Sequence, residues 1–223
     1  MLSAILFDLD GTLVNTDPLH FRAWQEILRE YELEIDTAFY QTRISGRLNP
    51  VIVQDILPHL SLEEGEILAE NKEARFRELA LLLQPLAGLD RLLFWIKEQG
   101  LKVALVTNAP RKNVDFMLSV LKLKETFPTV ILAEDLKAGK PDPAPYQFAL
   151  ELLNLHPEDA IAFEDSPSGI RSSVGAGIFT IAIASTHDHL ILEKAGANKV
   201  IVDFTDEFLA DFLNTKIGNL TVS

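Results

Sequence analysis

Short apolar segments that end at a polar residue are the feature of this sequence that most narrows the fold it can adopt. Five of them lie at residues 2–7, 102–107, 129–133, 160–164 and 179–184. Each is apolar at consecutive rather than alternate positions, which is typical of strands covered on both faces. Helical periodicity separates the later segments, over residues 88–99, 112–122, 144–154 and 168–175. This alternation predicts an α/β fold with a Rossmann-like parallel-sheet core.

One long interval interrupts the alternation. Between Val14 and Leu83 there is no strand pattern, and apolar residues recur at helical spacing instead. One predicted helix face comprises Leu19, Ala23, Trp24, Ile27 and Leu28. Because the interval is too long for a loop, we expect a small α-helical domain inserted into the core. The predicted boundaries are 1–13 and 86–223 for the core and 14–85 for the insertion with its linkers.

The composition excludes several classes of protein. The chain carries 33 acidic and 20 basic residues, a formal net charge of −13, which argues against nucleic acid as a partner. It has no cysteine, which rules out disulfides, thiolate metal sites and a cysteine nucleophile, and fits a reducing compartment. No apolar run reaches the length of a membrane helix, and Asp8 follows the start too early for a signal peptide. We therefore expect a cytoplasmic protein with no membrane partner.

Polar residues follow the predicted strands at the points where each strand ends. In an open parallel sheet, ligands bind beyond the carboxyl ends of the strands, so these residues are the candidates for function. They are Asp8 and Asp10 after the first strand, Thr107 and Asn108 after the second, Lys140 beyond the third, and Glu164 and Asp165 at the fourth. Four carboxylates, one lysine, one hydroxyl and one amide are therefore expected to converge at one edge of the sheet.

This set of groups favours phosphate chemistry. Clustered carboxylates raise one another's pKa unless a cation is present, and oxygen ligands without His or Cys select magnesium. Such a metal is commonly shared with a substrate phosphate. One carboxylate could then attack phosphorus, and a second could protonate the leaving oxygen and later activate water. A lysine, a threonine hydroxyl and an amide could hold the phosphoryl oxygens.

Four ordered motifs carry a family resemblance. Asp8-Leu-Asp-Gly-Thr12, then Thr107, then Lys140 with its following proline, and finally Glu164-Asp165 resemble the motifs of the haloacid dehalogenase superfamily. The resemblance extends over nearly the whole chain, and the helical insertion is similar to the family's first-type α-helical cap.

The resemblance implies a role for each matching residue. Asp8 would be the nucleophile and Asp10 the general acid and base. Mg²⁺ would be bound by Asp8, Asp165 and the backbone carbonyl of Asp10, with Glu164 as a supporting acid. The phosphoryl group would be held by Thr107, Asn108 and Lys140. The aspartate at position 10 implies phosphoryl transfer, because the superfamily's dehalogenases and phosphonatases lack it.

Within the superfamily, the insertion is similar to that of the β-phosphoglucomutase-like sugar phosphatases. The stretch His20-Phe-Arg-Ala-Trp24 resembles the first cap helix of these proteins, and Thr16 and Lys72 fall where they have a threonine and a lysine. The resemblance therefore implies that Thr16, His20 and Lys72 are candidate substrate-binding residues. His20 and Lys72 could alternatively support only the hinge of the cap.

The insertion departs from the mutase pattern at one loop. A mutase has a glycine followed three positions later by an arginine that grips a distal phosphate, whereas here Gly46 is followed at once by Arg47, and Asn49 takes the third position. The departure favours a hydrolase. The turn Ser45-Gly46-Arg47 is still predicted to form a specificity loop, with Arg43 or Arg47 reaching the substrate.

The sequence therefore predicts a Mg²⁺-dependent phosphomonoester hydrolase, acting through an aspartyl phosphate on a small phosphorylated metabolite such as a sugar phosphate. A phosphomutase of the β-phosphoglucomutase type is the alternative, and a non-catalytic binding module is a more distant one. A monomer is expected. His187 and His189 are predicted to lie in a surface loop, because no cysteine or third ligand lies near them.

Overall fold

A computed structural model describes residues 1–45 and 47–217 of the chain. These residues form two compact units, one made of the described residues within Met1–Asn15 and Gln84–Ser223 and the other of those within Thr16–Leu83. Among the described residues, no helix combines the length and the apolar character needed to cross a bilayer.

A six-stranded parallel sheet forms the centre of the first unit. Its strands are β1 (Ala4–Phe7), β2 (Lys102–Thr107), β3 (Thr129–Leu132), β4 (Ala160–Glu164), β5 (Phe179–Ile183) and β6 (Lys199–Ile201). They lie in the order β3-β2-β1-β4-β5-β6, so the first strand of the chain is central. This arrangement confirms the predicted α/β fold. Strand β1 begins at Ala4, two residues later than the predicted segment 2–7. Leu2 is buried but does not pair with a neighbouring strand.

Four helices lie in the described part of the second unit. They are α1 (Asp17–Arg29), α2 (Thr37–Arg43), α3 (Asn49–Ile56) and α4 (Leu62–Leu79). The longest, α4, begins at a capping box in which Ser61 and Glu64 bond reciprocally to each other's backbone N–H. Helix α1 buries Ala23, Trp24, Ile27 and Leu28, which lie on the predicted apolar face. Trp24, Ile27 and Leu28 pack in a core of their own with residues of α2, α3 and α4.

Helices flank the sheet of the first unit. They are α5 (Leu89–Glu98), α6 (Arg111–Val120), α7 (Ala144–Leu153), α8 (Pro167–Gly175), α9 (His189–Lys194) and α10 (Glu207–Ile217). Apolar residues of α7 pack against β1, β2 and β4, and those of α8 and α9 pack against β5 and β6. Helix α8 begins with Ser166 as its cap, whose hydroxyl accepts a hydrogen bond from the Gly169 N–H, and with Pro167 at its first position. The sheet is therefore covered by helices, as its apolar strands require.

Candidate active site

The register of the central strands brings the first and fourth motifs together. Phe7 pairs with Phe163, so Asp8 follows β1 beside Glu164, the last residue of β4. The Asp8 N–H donates a hydrogen bond of 3.0 Å to the carbonyl oxygen of Phe163. Asp165 follows Glu164 directly. The predicted convergence of these three carboxylates is therefore a consequence of strand pairing.

A glycine turn after β1 lies against Asp165. Gly11 has φ +79, the left-handed region in which glycine carries no steric penalty. A Cβ atom added at Gly11 would collide with the Asp165 carboxylate. The turn that follows Asp8 and Asp10 thus requires glycine for two reasons, its backbone conformation and its close approach to a carboxylate.

Lys140 is the buried cation of the site. Its Nζ donates hydrogen bonds of 2.6 Å to Asp8 Oδ1, 2.6 Å to Glu164 Oε1 and 2.7 Å to the carbonyl oxygen of Val106. Burial lowers the pKa of Lys140, but the Asp8 and Glu164 carboxylates outweigh it and raise that pKa to about 12. The side chain is therefore a fixed positive charge between two acidic residues.

Asn108 braces the loop that carries Lys140. Its amide donates a 3.1 Å hydrogen bond to the Lys140 carbonyl, and its Oδ1 accepts a 3.0 Å bond from the Lys140 N–H. The Thr107 hydroxyl, also buried, accepts a 3.0 Å bond from the Ala109 N–H. Contact of Asn108 and Thr107 with a phosphoryl group stays a prediction.

Three buried carboxylates fit a divalent cation. Asp8, Glu164 and Asp165 each offer an oxygen, and these oxygens lie within 4.8 Å of one another. Burial raises the pKa of Asp8 to about 7, with Lys140 opposing the shift, and burial followed by repulsion from Asp8 and Glu164 raises that of Asp165. Glu164 Oε2 is buried and accepts no hydrogen bond from the described residues. An all-oxygen set with excess negative charge suits Mg²⁺, and a cation would favour the ionised carboxylates.

Asp10 lies two residues beyond Asp8 and is half-buried. Its backbone forms an isolated parallel bridge with Val14, which closes the turn after β1. The role that the resemblance gives Asp10 in metal binding uses its backbone carbonyl, so its carboxyl group is left for proton transfer. Both roles stay predictions.

Two residues that contact Glu164 and Asp165 are not among the candidates that the sequence indicates. The Tyr146 hydroxyl donates a 2.6 Å hydrogen bond to Glu164 Oε1, and the Thr186 hydroxyl donates to Asp165 Oδ2. Thr186 lies just beyond β5, where the strand-end rule that selected the other candidates would have found it. Tyr146 lies inside the apolar face of α7, where the sequence gives no sign that its hydroxyl reaches an acid.

In the helical unit, His20 and Lys72 contact each other. Lys72 Nζ lies 2.8 Å from His20 Nδ1 and 2.8 Å from Glu73 Oε1, and Asn49 donates a 2.6 Å hydrogen bond to the same Glu73 oxygen. Although burial opposes the shift, Lys72 and His20 lower the pKa of Glu73 to about 2. Thr16 is buried just before α1. Substrate binding by Thr16, His20 and Lys72 stays a prediction.

The predicted specificity loop is described only in part, because Gly46 lies outside the described residues. Arg47 Nη1 donates hydrogen bonds of 2.6 Å to the Arg43 carbonyl and 2.7 Å to Asp55 Oδ2. Arg43 binds the same carboxylate. Arg47 is therefore paired within the helical unit, and its contact with substrate stays a prediction.

Comparison with known proteins identifies what the chain is similar to. A family model described as haloacid dehalogenase-like hydrolase matches residues 5–183. The phosphorylated carbohydrates phosphatase of Thermotoga maritima is 33% identical over 204 residues, which cover 88% of this chain and 92% of that protein. The validoxylamine A 7'-phosphate phosphatase of Streptomyces hygroscopicus is 31% identical over 210 residues, covering 92% and 96%. A crystal structure of β-phosphoglucomutase from Clostridium difficile is similar at a TM-score of 0.83, with 26% identity and 97% of each chain covered.

Proposed function

Because the chain belongs to the haloacid dehalogenase-like hydrolases, we propose that it is a phosphatase that hydrolyses phosphate monoesters of small sugars. The observation that carries the proposal is Lys140, whose ammonium group is buried between the carboxylates of Asp8 and Glu164. A phosphoryl group is negatively charged, so its approach to an aspartate requires positive charge fixed in advance. The relatives whose names mention phosphorylated carbohydrates or a sugar-like phosphate support the substrate class.

The reaction we propose has two half-reactions. In the first, an Asp8 carboxylate oxygen attacks phosphorus, the bond from phosphorus to the ester oxygen breaks, and Asp10 gives its proton to the departing alcohol. In the second, Asp10 takes a proton from water, the water oxygen attacks phosphorus, and the bond to Asp8 breaks to release inorganic phosphate. Lys140 and Thr107 hold the phosphoryl oxygens during both transfers.

A divalent cation is the proposed cofactor, with Mg²⁺ the ion that the oxygen ligands favour. Asp8, Asp165 and the backbone carbonyl of Asp10 would hold it, with Glu164 in support. When bound, the cation supplies positive charge that offsets the phosphate dianion beside the carboxylates.

A phosphomutase is the second candidate, favoured by the similarity to β-phosphoglucomutase. In a mutase, the phosphoryl group returns to another hydroxyl of the same sugar instead of passing to water. Asn49 lies where the mutase pattern has its arginine, and its amide is bound to the Glu73 carboxylate. Because Asn49 is uncharged, it lacks the positive charge with which the mutase arginine grips a distal phosphate. Its presence beside an acid therefore supports the hydrolase.

The test is an incubation of purified protein and Mg²⁺ with a panel of sugar phosphates that includes β-glucose 1-phosphate. Inorganic phosphate and glucose 6-phosphate are measured in the same tubes, with Asp8→Asn as the inactive control. Release of phosphate without isomerisation supports the hydrolase. Formation of glucose 6-phosphate without release of inorganic phosphate would establish the mutase instead. If no ester in the panel yields either product, the proposed function is refuted.

A further inference from the structure

A tyrosine hydroxyl lies deep in the apolar layer between α7 and the sheet. Tyr146 is the third residue of α7 and is fully buried among residues of β1, β2, β4 and α7. Phenylalanine would fill this space without burying a polar atom, whereas a buried hydroxyl needs a partner to offset its lost hydration. That partner is Glu164 Oε1, at 2.6 Å.

The hydrogen bond from Tyr146 fixes one oxygen of a carboxylate that has few other partners. Glu164 Oε1 accepts from both Tyr146 and Lys140, while Glu164 Oε2 accepts from none of the described residues. Oε2 lies against the start of α8, where a Cβ atom at Gly169 would overlap it. The carboxylate is thus confined by a glycine on one side and by two donors on the other.

The orientation of Glu164 matters because it sets the position of Lys140. An ammonium group has three protons, and those of Lys140 go to Asp8, to Glu164 and to the carbonyl oxygen of Val106. When Asp8 carries a phosphoryl group, Glu164 and Val106 are the acceptors that still hold the lysine. Without the Tyr146 hydroxyl, Lys140 would be the one remaining donor to Glu164 within the described part of the chain.

We propose that Tyr146 is a positioning residue, whose hydroxyl holds the Glu164 carboxylate so that Lys140 keeps its ammonium group on Asp8 and the transferring phosphoryl oxygens. The inference rests on the proposed function. The Tyr146 hydroxyl donates to Glu164, which in turn binds Lys140, so we assign Tyr146 an action through these two residues and not on the substrate itself. Its effect is on the placement of charge, which matters most when charge develops on the phosphoryl group.

The experiment compares Tyr146→Phe with wild type in steady-state kinetics and in the affinity for orthovanadate, which binds phosphoryl-transfer sites as a transition-state mimic. Loss of one hydrogen bond to a charged group predicts a fall of about 10- to 100-fold in kcat/KM, with most of the fall in kcat. The vanadate inhibition constant should rise by a similar factor. Thr180→Val is the matched control, because it removes another buried hydroxyl, one bound to Ser173 in the same unit, and should leave both values unchanged.

A double-mutant cycle tests whether Tyr146 acts through Glu164. In a Glu164→Gln background, Tyr146→Phe should change kcat/KM and vanadate affinity less than threefold, since the charged acceptor is already gone. Equal effects of Tyr146→Phe in both backgrounds would overturn the proposal. So would a Tyr146→Phe variant that loses thermal stability but keeps wild-type kcat/KM and vanadate affinity, since that is the behaviour of a purely structural hydroxyl. These outcomes leave the proposed function standing, whereas a wild-type protein that releases no phosphate refutes both.

Discussion

Replacing Lys140 by methionine should destabilise the first unit strongly, because the ammonium group is 2.6 Å from each of two buried carboxylates. Methionine keeps most of the side-chain volume, so the change removes charge and hydrogen bonds rather than packing. Asp8 and Glu164 would then be buried without their cation, and the Val106 carbonyl would lose a donor. Breaking a buried ion pair in this way costs about 3–5 kcal/mol.

For a chain of this size, 1 kcal/mol corresponds to a Tm change of about 2–4 °C, so Lys140→Met should lower Tm by roughly 6–20 °C. The assay is thermal unfolding followed by circular dichroism, in the presence of a chelator so that a bound cation does not offset the lost charge. Lys124→Met, at an exposed turn, is the control and should change the free energy of unfolding by less than about 0.5 kcal/mol. A Tm for Lys140→Met within 2 °C of the control value would refute the reasoning that this lysine is a buried counter-ion.

Three further outcomes are expected. Asp8→Asn should abolish phosphate release while circular dichroism shows an unchanged fold, and wild-type-like turnover would contradict the assigned nucleophile. Glu73 has its pKa lowered to about 2, so its ionised form contributes stability that is present above about pH 5 and is lost as pH falls towards 2. Wild type should therefore lose up to about 3 kcal/mol over that range through this group, and urea unfolding should show a smaller loss for Glu73→Gln. Gly11→Ala should lower both activity and stability, by more than about 2 kcal/mol, because a Cβ atom there meets Asp165. Gly100→Ala has a similar positive φ in open space and should show only the backbone cost of about 1–2 kcal/mol in denaturant titration.

Much of the fold could be predicted because strands buried on both faces are apolar at consecutive positions, a pattern that is visible in the sequence. Segments 102–107 and 160–164 match β2 and β4 residue for residue, and the polar residues at their ends lie at one edge of the sheet. This edge follows from parallel pairing alone, so Asp8, Glu164 and Asp165 could be expected to meet before any coordinates existed. The match to the family confirms the resemblance carried by the same residues.

The pairings of individual side chains could not be predicted in the same way. The strand-end position of Asn108 gave no sign that its amide forms two hydrogen bonds with the Lys140 backbone. Arg47 is held by Asp55, and Tyr146 reaches Glu164 from the first turn of an apolar helix face. Each pair joins residues from different elements, and periodicity specifies which face a side chain occupies but not the partner it meets there.

The position of β1 in the sheet has a consequence for the order in which the protein can assemble during synthesis. Ala4 pairs with Lys102 on one side and with Ala160 on the other, so the central strand is made first but gains its second partner only when β4 is made. At about 5–20 residues per second, a ribosome needs roughly 10–30 s to pass from Ala4 to Ala160. The helical unit Thr16–Leu83 is made within that interval and has a core of its own to bury. We therefore expect nascent chains stalled before β4 to contain the folded helical unit and a β1 strand whose β4-facing edge is still unpaired, the kind of apolar edge that chaperones bind.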